Sequence, residues 1–142
     1  EEIHRLLVDD LDVGTGLRKT GVGITGSVYK PISVPSQIEE QLQALINCIN
    51  VQKDFYTKTL IALLGISYLQ PFEDGNKRTA RLFANALLLL SGHAPLSYRN
   101  VDEKEYKEAM LLFYEQNSVE AFEAIFISQY IFSAENYNLG RI

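Results

Sequence analysis

Over most of its length the chain repeats apolar residues every three or four positions, the spacing of helices that bury one face. Residues 1–10 carry a short amphipathic pattern of this kind. Ile38, Leu42, Leu45, Ile46 and Ile49 follow it after Pro35-Ser36, and Ser36 with Glu39 has capping-box spacing. From about Asp54 to Leu69 the residues are apolar on most sides (Phe55, Leu60, Leu63, Leu64, Ile66), which predicts the central buried helix. Pro71 cannot continue it, lacking the amide and clashing with the preceding turn. A third helix is expected from Asn76 to Ser91 with Gly92 as its stop, a fourth from Asp102 as cap to about Glu115, and a fifth from Ser118 as cap to about Glu135. Residues 12–34 break the rhythm. Gly14, Gly16, Gly21, Gly23 and Gly26 alternate with Val22, Ile24, Val28 and Tyr29, the texture of a loop carrying a β-hairpin over 21–30. The fold class is therefore mainly α, with one small β-hairpin.

Composition narrows the picture. A chain of 142 residues suits one domain with a real core, standing alone or cut from a longer protein. It opens on Glu1 with no basic-apolar leader, so no secretory signal is visible. The apolar run around Leu87–Leu90 is far too short for a membrane span. Cys48 lies in a helical apolar pattern and reads as a buried structural thiol in a reducing, cytoplasmic setting. The net charge of −5 excludes a broad nucleic-acid surface, so any basic residues that matter must act locally.

Gly21-Val22-Gly23-Ile24-Thr25-Gly26-Ser27-Val28-Tyr29 matches a protein-kinase glycine loop, and contains the shorter dinucleotide pattern. Both contexts are missing. A dinucleotide site needs a helix opening at the last glycine; here Val28 and Tyr29 continue a strand pattern, and Pro31 follows. A kinase needs a strand lysine, a catalytic-loop aspartate and Asp-Phe-Gly downstream, and none is in place. The better reading is a flexible flap whose edge pairs with an extended peptide.

Residues 70–81 run Gln70-Pro71-Phe72-Glu73-Asp74-Gly75-Asn76-Lys77-Arg78-Thr79-Ala80-Arg81. One helix ends here and the next begins. Free amides at a helix start and the helix dipole favour an anion. Gly75 admits a tight turn and close approach of a ligand. Asn76 can cap the helix or donate to an oxyanion. Arg78 and Arg81, three apart, can share a face and fork onto phosphate oxygens. Asp74 suits Mg²⁺, which prefers one or two carboxylates together with substrate phosphates. Phe72 would anchor the loop. The plain alternative is a capped helix start with a solvated basic turn, yet the dipole disfavours Lys77, Arg78 and Arg81 at that end unless an anion joins them.

This stretch resembles the signature of the Fic family, His-Pro-Phe-x-(Asp/Glu)-Gly-Asn-Gly-Arg-x-x-Arg, at Pro71, Phe72, Asp74, Gly75, Asn76, Arg78 and Arg81. A flap before the motif and the order of flanking helices extend the likeness over roughly residues 12–135. The resemblance implies a Fic-type helical bundle that transfers AMP from Mg-ATP to a Ser, Thr or Tyr hydroxyl of a target protein. It implies Mg²⁺ on Asp74, an anion hole from the amides of Gly75, Asn76 and Lys77, the β-phosphate on Arg78 and the γ-phosphate on Arg81. Ile24, Thr25 and Gly26 would align the target. Adenine would lie between the flap and the helix of Tyr106 and Tyr114, residues that equally suit a core.

Two positions depart from the pattern. Lys77 replaces the second glycine, as in the family's phosphotransferase branch, but that branch lacks an arginine equivalent to Arg81, which keeps AMP transfer ahead. Gln70 stands where the family has the histidine that takes the target's proton. A positioned base is worth about 10²–10⁴-fold in rate, and an amide cannot act as one. His4 and His93 read as surface or loop residues rather than substitutes. Gln70 is compatible with an engineered inactivating change, with a natural nucleotide-binding protein of little transfer activity, or with a slow enzyme acting on an unusually acidic hydroxyl. The alternatives to an impaired AMP-transferase are a non-catalytic ATP-binding or target-binding module and a phosphotransferase. The family is often restrained by an inhibitory helix or antitoxin, and often dimerises. Glu135-Asn136 matches the end of the inhibitory motif, but Ile131 stands where Ser or Thr belongs, so a surface glutamate is the better reading.

Overall fold

A computed structural model of the chain describes residues 1–9 and 14–137. They form six helices: α1 (Glu2–Val8), α2 (Pro35–Val51), α3 (Phe55–Leu69), α4 (Asn76–Leu90), α5 (Glu103–Gln116) and α6 (Glu120–Asn136). The helix limits follow the apolar periodicity to within a residue or two. Helix α3 is central, packed between α2 and α4, with α1 laid against α4 and α5 against α6. Its Ala62, Leu63, Leu64, Ile66 and Leu69 are all buried, as its apolar composition requires. Helix α4 turns Ala80, Ala84 and Leu88 inward at intervals of one turn, where they meet Leu63, Tyr106, Phe122 and Phe126. At Gly65 a Cβ would run into the Leu45 side chain, so glycine lets α2 and α3 approach here without displacing it.

Asp102 caps α5 as expected, its side chain accepting from the amides of Lys104 and Glu105, and Asp54 caps α3 by accepting from that of Thr57. Other expectations are corrected. Ser36 and Ser118 cap nothing: Val34 and Val119 occupy those positions, and Pro35 fills the first turn of α2, where its missing N–H is no loss. Cys48 is exposed, on the solvent side of α2. The β-hairpin is absent, and among the described residues there is no strand. Residues 24–27 form a turn instead, with the Ser27 amide bonded to the Ile24 carbonyl and Gly26 at φ 83°.

The reason lies in Arg18, which is buried with no carboxylate beside it among the described residues. Its guanidinium donates to the carbonyls of Thr20 and Ile32, and also to those of Leu69 and Gln70 at the end of α3. One side chain thus holds both legs of the flap and fastens them to the motif, where a ladder was expected. Burial pulls the Arg18 pKa below the ordinary arginine value. Among the described residues, no helix is long and apolar enough to cross a membrane.

Candidate functional site

Helix α3 ends on Gln70, whose left-handed backbone (φ 50°, ψ 59°) turns the chain toward α4. Such a conformation is uncommon outside glycine and stands only where its surroundings hold it. Here both ends of the amide are engaged. The Gln70 Nε2 donates to the Ser67 carbonyl at 2.7 Å, and its Oε1 accepts from Asn76 Nδ2 at 3.1 Å. Asn76 is buried and clasps Phe72 on both sides, accepting from its amide and donating to its carbonyl, each at 2.9 Å. Asn76 therefore does not cap α4; it closes the loop that precedes it.

That loop is also held from below. His4 is fully buried, correcting its reading as a surface residue. Its ring lies parallel to Phe72 with centroids 3.9 Å apart, and its Nε2 donates to the Asp74 carbonyl at 2.7 Å. Gly75, at φ 78°, precedes the helix; a Cβ there would touch His4 and Val8 as well as straining the backbone. The Asp74 carboxylate is exposed and accepts from the Gly75 amide at 2.7 Å. Of the three amides expected to form the anion hole, that of Gly75 is thus already engaged, while Asn76 and Lys77 lie in the first turn, where no intrahelical acceptor exists.

The cations are distributed unevenly. Arg78 is exposed and has no ion pair among the described residues. Arg81 turns inward, its guanidinium 4.1 Å from the Tyr98 ring centroid and 4.6 Å from that of Tyr106. Lys77 lies 5.0 Å from the same Tyr106 ring and pairs with Glu103 at 3.7 Å. A cleft of about 490 Å³ opens beside them, lined by Ile24 and Thr25 of the flap, by Ser67, Gln70 and Lys77, and by Tyr106, Lys107 and Tyr114 of α5. It brings Gln70, Lys77, Tyr106, Tyr114 and the flap together; Asp74, Arg78 and Arg81 do not line it. Burial pushes the Tyr106 phenol upward and that of Tyr114 to about 12. The flap is braced over α5 by Glu115, which accepts from Ser27 Oγ and the Val28 amide, and by Tyr29, stacked on Tyr114 with its hydroxyl donating to the Tyr68 carbonyl. Glu135 is exposed and takes part in no ion pair among the described residues, in keeping with a surface glutamate.

Residues 1–88 match the family model described as Fic/DOC family. The chain is a member of the Fic/DOC family. Over 115 residues it is 33% identical to "Protein adenylyltransferase Fic" of Nematostella vectensis, a match covering 75% of this chain and 26% of that protein. Among solved structures, Fic-1 of Caenorhabditis elegans superposes with a TM-score of 0.73 at 24% identity, covering 96% of this chain and 40% of that one. The BepC effector of Bartonella tribocorum, solved with bound AMPPNP, gives a TM-score of 0.66 at 18% identity, over 82% of this chain and 58% of that one. These likenesses show the Fic helical fold. The chain spans about a quarter of the curated Nematostella relative. Arg18, His4 and Tyr98, which shape this Fic site, lie outside the motif. Only Arg18 left a trace in the sequence, as a cation amid a glycine-rich apolar segment.

Proposed function

We propose that this Fic chain binds Mg-ATP and descends from protein adenylyltransferases, with its transfer step impaired at Gln70. The observation that carries the reading is the double engagement of the Gln70 amide, with Ser67 and Asn76, at the edge of the cleft. No ionisable side chain occupies the place where the family's histidine takes a proton. What supports nucleotide binding is the cleft between flap and α5, the cationic start of α4, and the bound AMPPNP of the BepC structure. Adenine would rest against Tyr106 and Tyr114, the β-phosphate on Arg78 and the γ-phosphate on Arg81. Ile24, Thr25 and Gly26 would receive the target segment.

The donors fit Mg²⁺. Asp74 is an exposed carboxylate, and among the described residues no cluster of three metal-binding side chains exists. A lone carboxylate suits an ion that takes its remaining ligands from phosphates and water. When bound, Mg²⁺ would neutralise charge on the transferring phosphates. Asp74 and the Gly75 amide satisfy each other in the free chain; with the Asp74 carboxylate turned to the ion, the Gly75 amide would be open to a phosphate oxygen. Preorganised cations and amides would then carry most of the catalysis. Target, dimerisation and any inhibitory partner would follow the family, in the cytoplasm, where an exposed lone thiol such as Cys48 stays reduced.

The second reading, a non-catalytic module that binds nucleotide or target, is favoured by the same tied amide. A phosphotransferase, suggested by Lys77, ranks third. One paired experiment separates them: this chain and its Gln70→His variant, each given α-labelled or γ-labelled ATP and a cell extract. Label from α-ATP that depends on histidine supports adenylyl transfer. ATP binding without label in either protein supports the module, and γ-label alone supports phosphate transfer. Adenylyl label that persists undiminished in an Arg81→Ala, Gln70→His double variant would refute the γ-phosphate assignment.

A further inference from the structure

Arg81 is held by aromatic faces and by no carboxylate among the described residues. Its Nε and Nη2 are buried without an acceptor. Buried donors are normally paired, and one left unpaired in a native structure calls for a ligand or another explanation. Tyr98 reaches it from the loop between α4 and α5, at φ 57°. Its hydroxyl is likewise buried and unpartnered. The loop is pinned one turn further along α4 by Asn85, which donates to the Leu96 carbonyl at 3.0 Å and accepts from the Leu96 amide at 2.8 Å. Strain at Tyr98 is thus sustained by a specific tether, and what it secures is the ring over Arg81.

We propose that Tyr98 and Tyr106 are positioning residues that clamp Arg81, without neutralising it, as the receptor for the terminal phosphate of a nucleoside triphosphate. This rests on the Mg-ATP reading above. A carboxylate in the same place would align the guanidinium but occupy its fork, and a phosphate would have to displace it. A ring face attracts the cation through its quadrupole and leaves the N–H groups free. Burial pushes both phenols upward, so they remain neutral and supply no counter-charge. At Tyr98 the hydroxyl is orphaned, so there the ring and not the oxygen does the holding.

Binding of ATP, ADP and AMP, each with Mg²⁺, is compared by titration calorimetry in the wild type, Tyr98→Phe, Tyr98→Leu and Arg81→Ala. Tyr98→Leu should weaken ATP about tenfold, the scale of a desolvated cation–π contact, and leave AMP within about twofold. Tyr98→Phe should keep ATP affinity and melt no lower than wild type. Tyr98→Gly tolerates the positive φ and should reproduce the leucine result, which guards against a folding defect in that variant. If Tyr98→Leu weakens AMP as much as ATP, or spares ATP while Arg81→Ala weakens it, the clamp is refuted and the nucleotide site stands. If the wild type binds no nucleotide, the Mg-ATP reading fails and the clamp with it.

Discussion

Replacing Arg18 by leucine should loosen the flap and the motif together. The guanidinium serves four carbonyls. Those of Thr20 and Ile32 belong to surface legs and can turn to water once released. Those of Leu69 and Gln70 close α3 and have no such freedom. A hydrogen bond to a charged group contributes about 1.5–3 kcal/mol, and two irreplaceable ones, offset by apolar contacts of the new side chain, predict a loss of about 3–4 kcal/mol. For a chain of this size that lowers Tm by about 10–15 °C. Urea unfolding followed by circular dichroism measures it, and limited proteolysis should find new cleavage within 20–32. Arg18→Lys should recover less than half, since an ammonium cannot span four acceptors in the guanidinium plane. A loss below about 1 kcal/mol, with the flap still resistant to protease, would refute the idea that one side chain stands in for a β-ladder.

Two further outcomes follow from buried groups. His4→Ala removes the hydrogen bond to Asp74 and the stack on Phe72, and should destabilise by about 2–4 kcal/mol in urea unfolding, with weaker Mg-ATP binding because the loop beneath Asp74 is freed; His4→Phe, which keeps the stack, should lose less. Burial raises the Tyr56 and Tyr114 phenols from 10.0 to about 12, with the Tyr56 bond to Glu123 adding to it. Stability from these groups is present below their unfolded value and lost as pH climbs toward 12, so tyrosinate absorbance and unfolding should rise together in that window.

The helices were legible because their signals are local. Asp54 and Asp102 act within one turn of themselves, and the all-round apolar composition of α3 marks it as the buried centre. The motif was legible because its neighbours in sequence are neighbours in space. The flap is illegible for the opposite reason. Glycines and β-branched residues announce a hairpin, but the acceptors that decided its structure are an arginine side chain's partners more than fifty positions apart in the chain. His4 is hidden likewise: seven helical residues carry too little pattern to reveal that one ring will lie under Phe72, and nothing in the first ten positions names Asp74 as its partner. Tyr98 sits in a loop without period, and only Asn85's grip on Leu96 brings it over Arg81.

Position 70 joins structure and chemistry in a way that constrains any repair. The amide of Gln70 is both donor and acceptor in the clasp that links the end of α3 to Asn76 and so to Phe72. A neutral imidazole also offers one donor and one acceptor. If histidine at this position reproduced both bonds, its accepting nitrogen would face Asn76 and could take no proton from a target hydroxyl. For the ring to serve as a base, its acceptor must be freed, and Asn76 must then hold Phe72 alone. Binding and transfer are therefore separable here: the anion-binding turn depends on the clasp, while proton transfer depends on opening one arm of it. Glutamine at this position favours the first at the expense of the second.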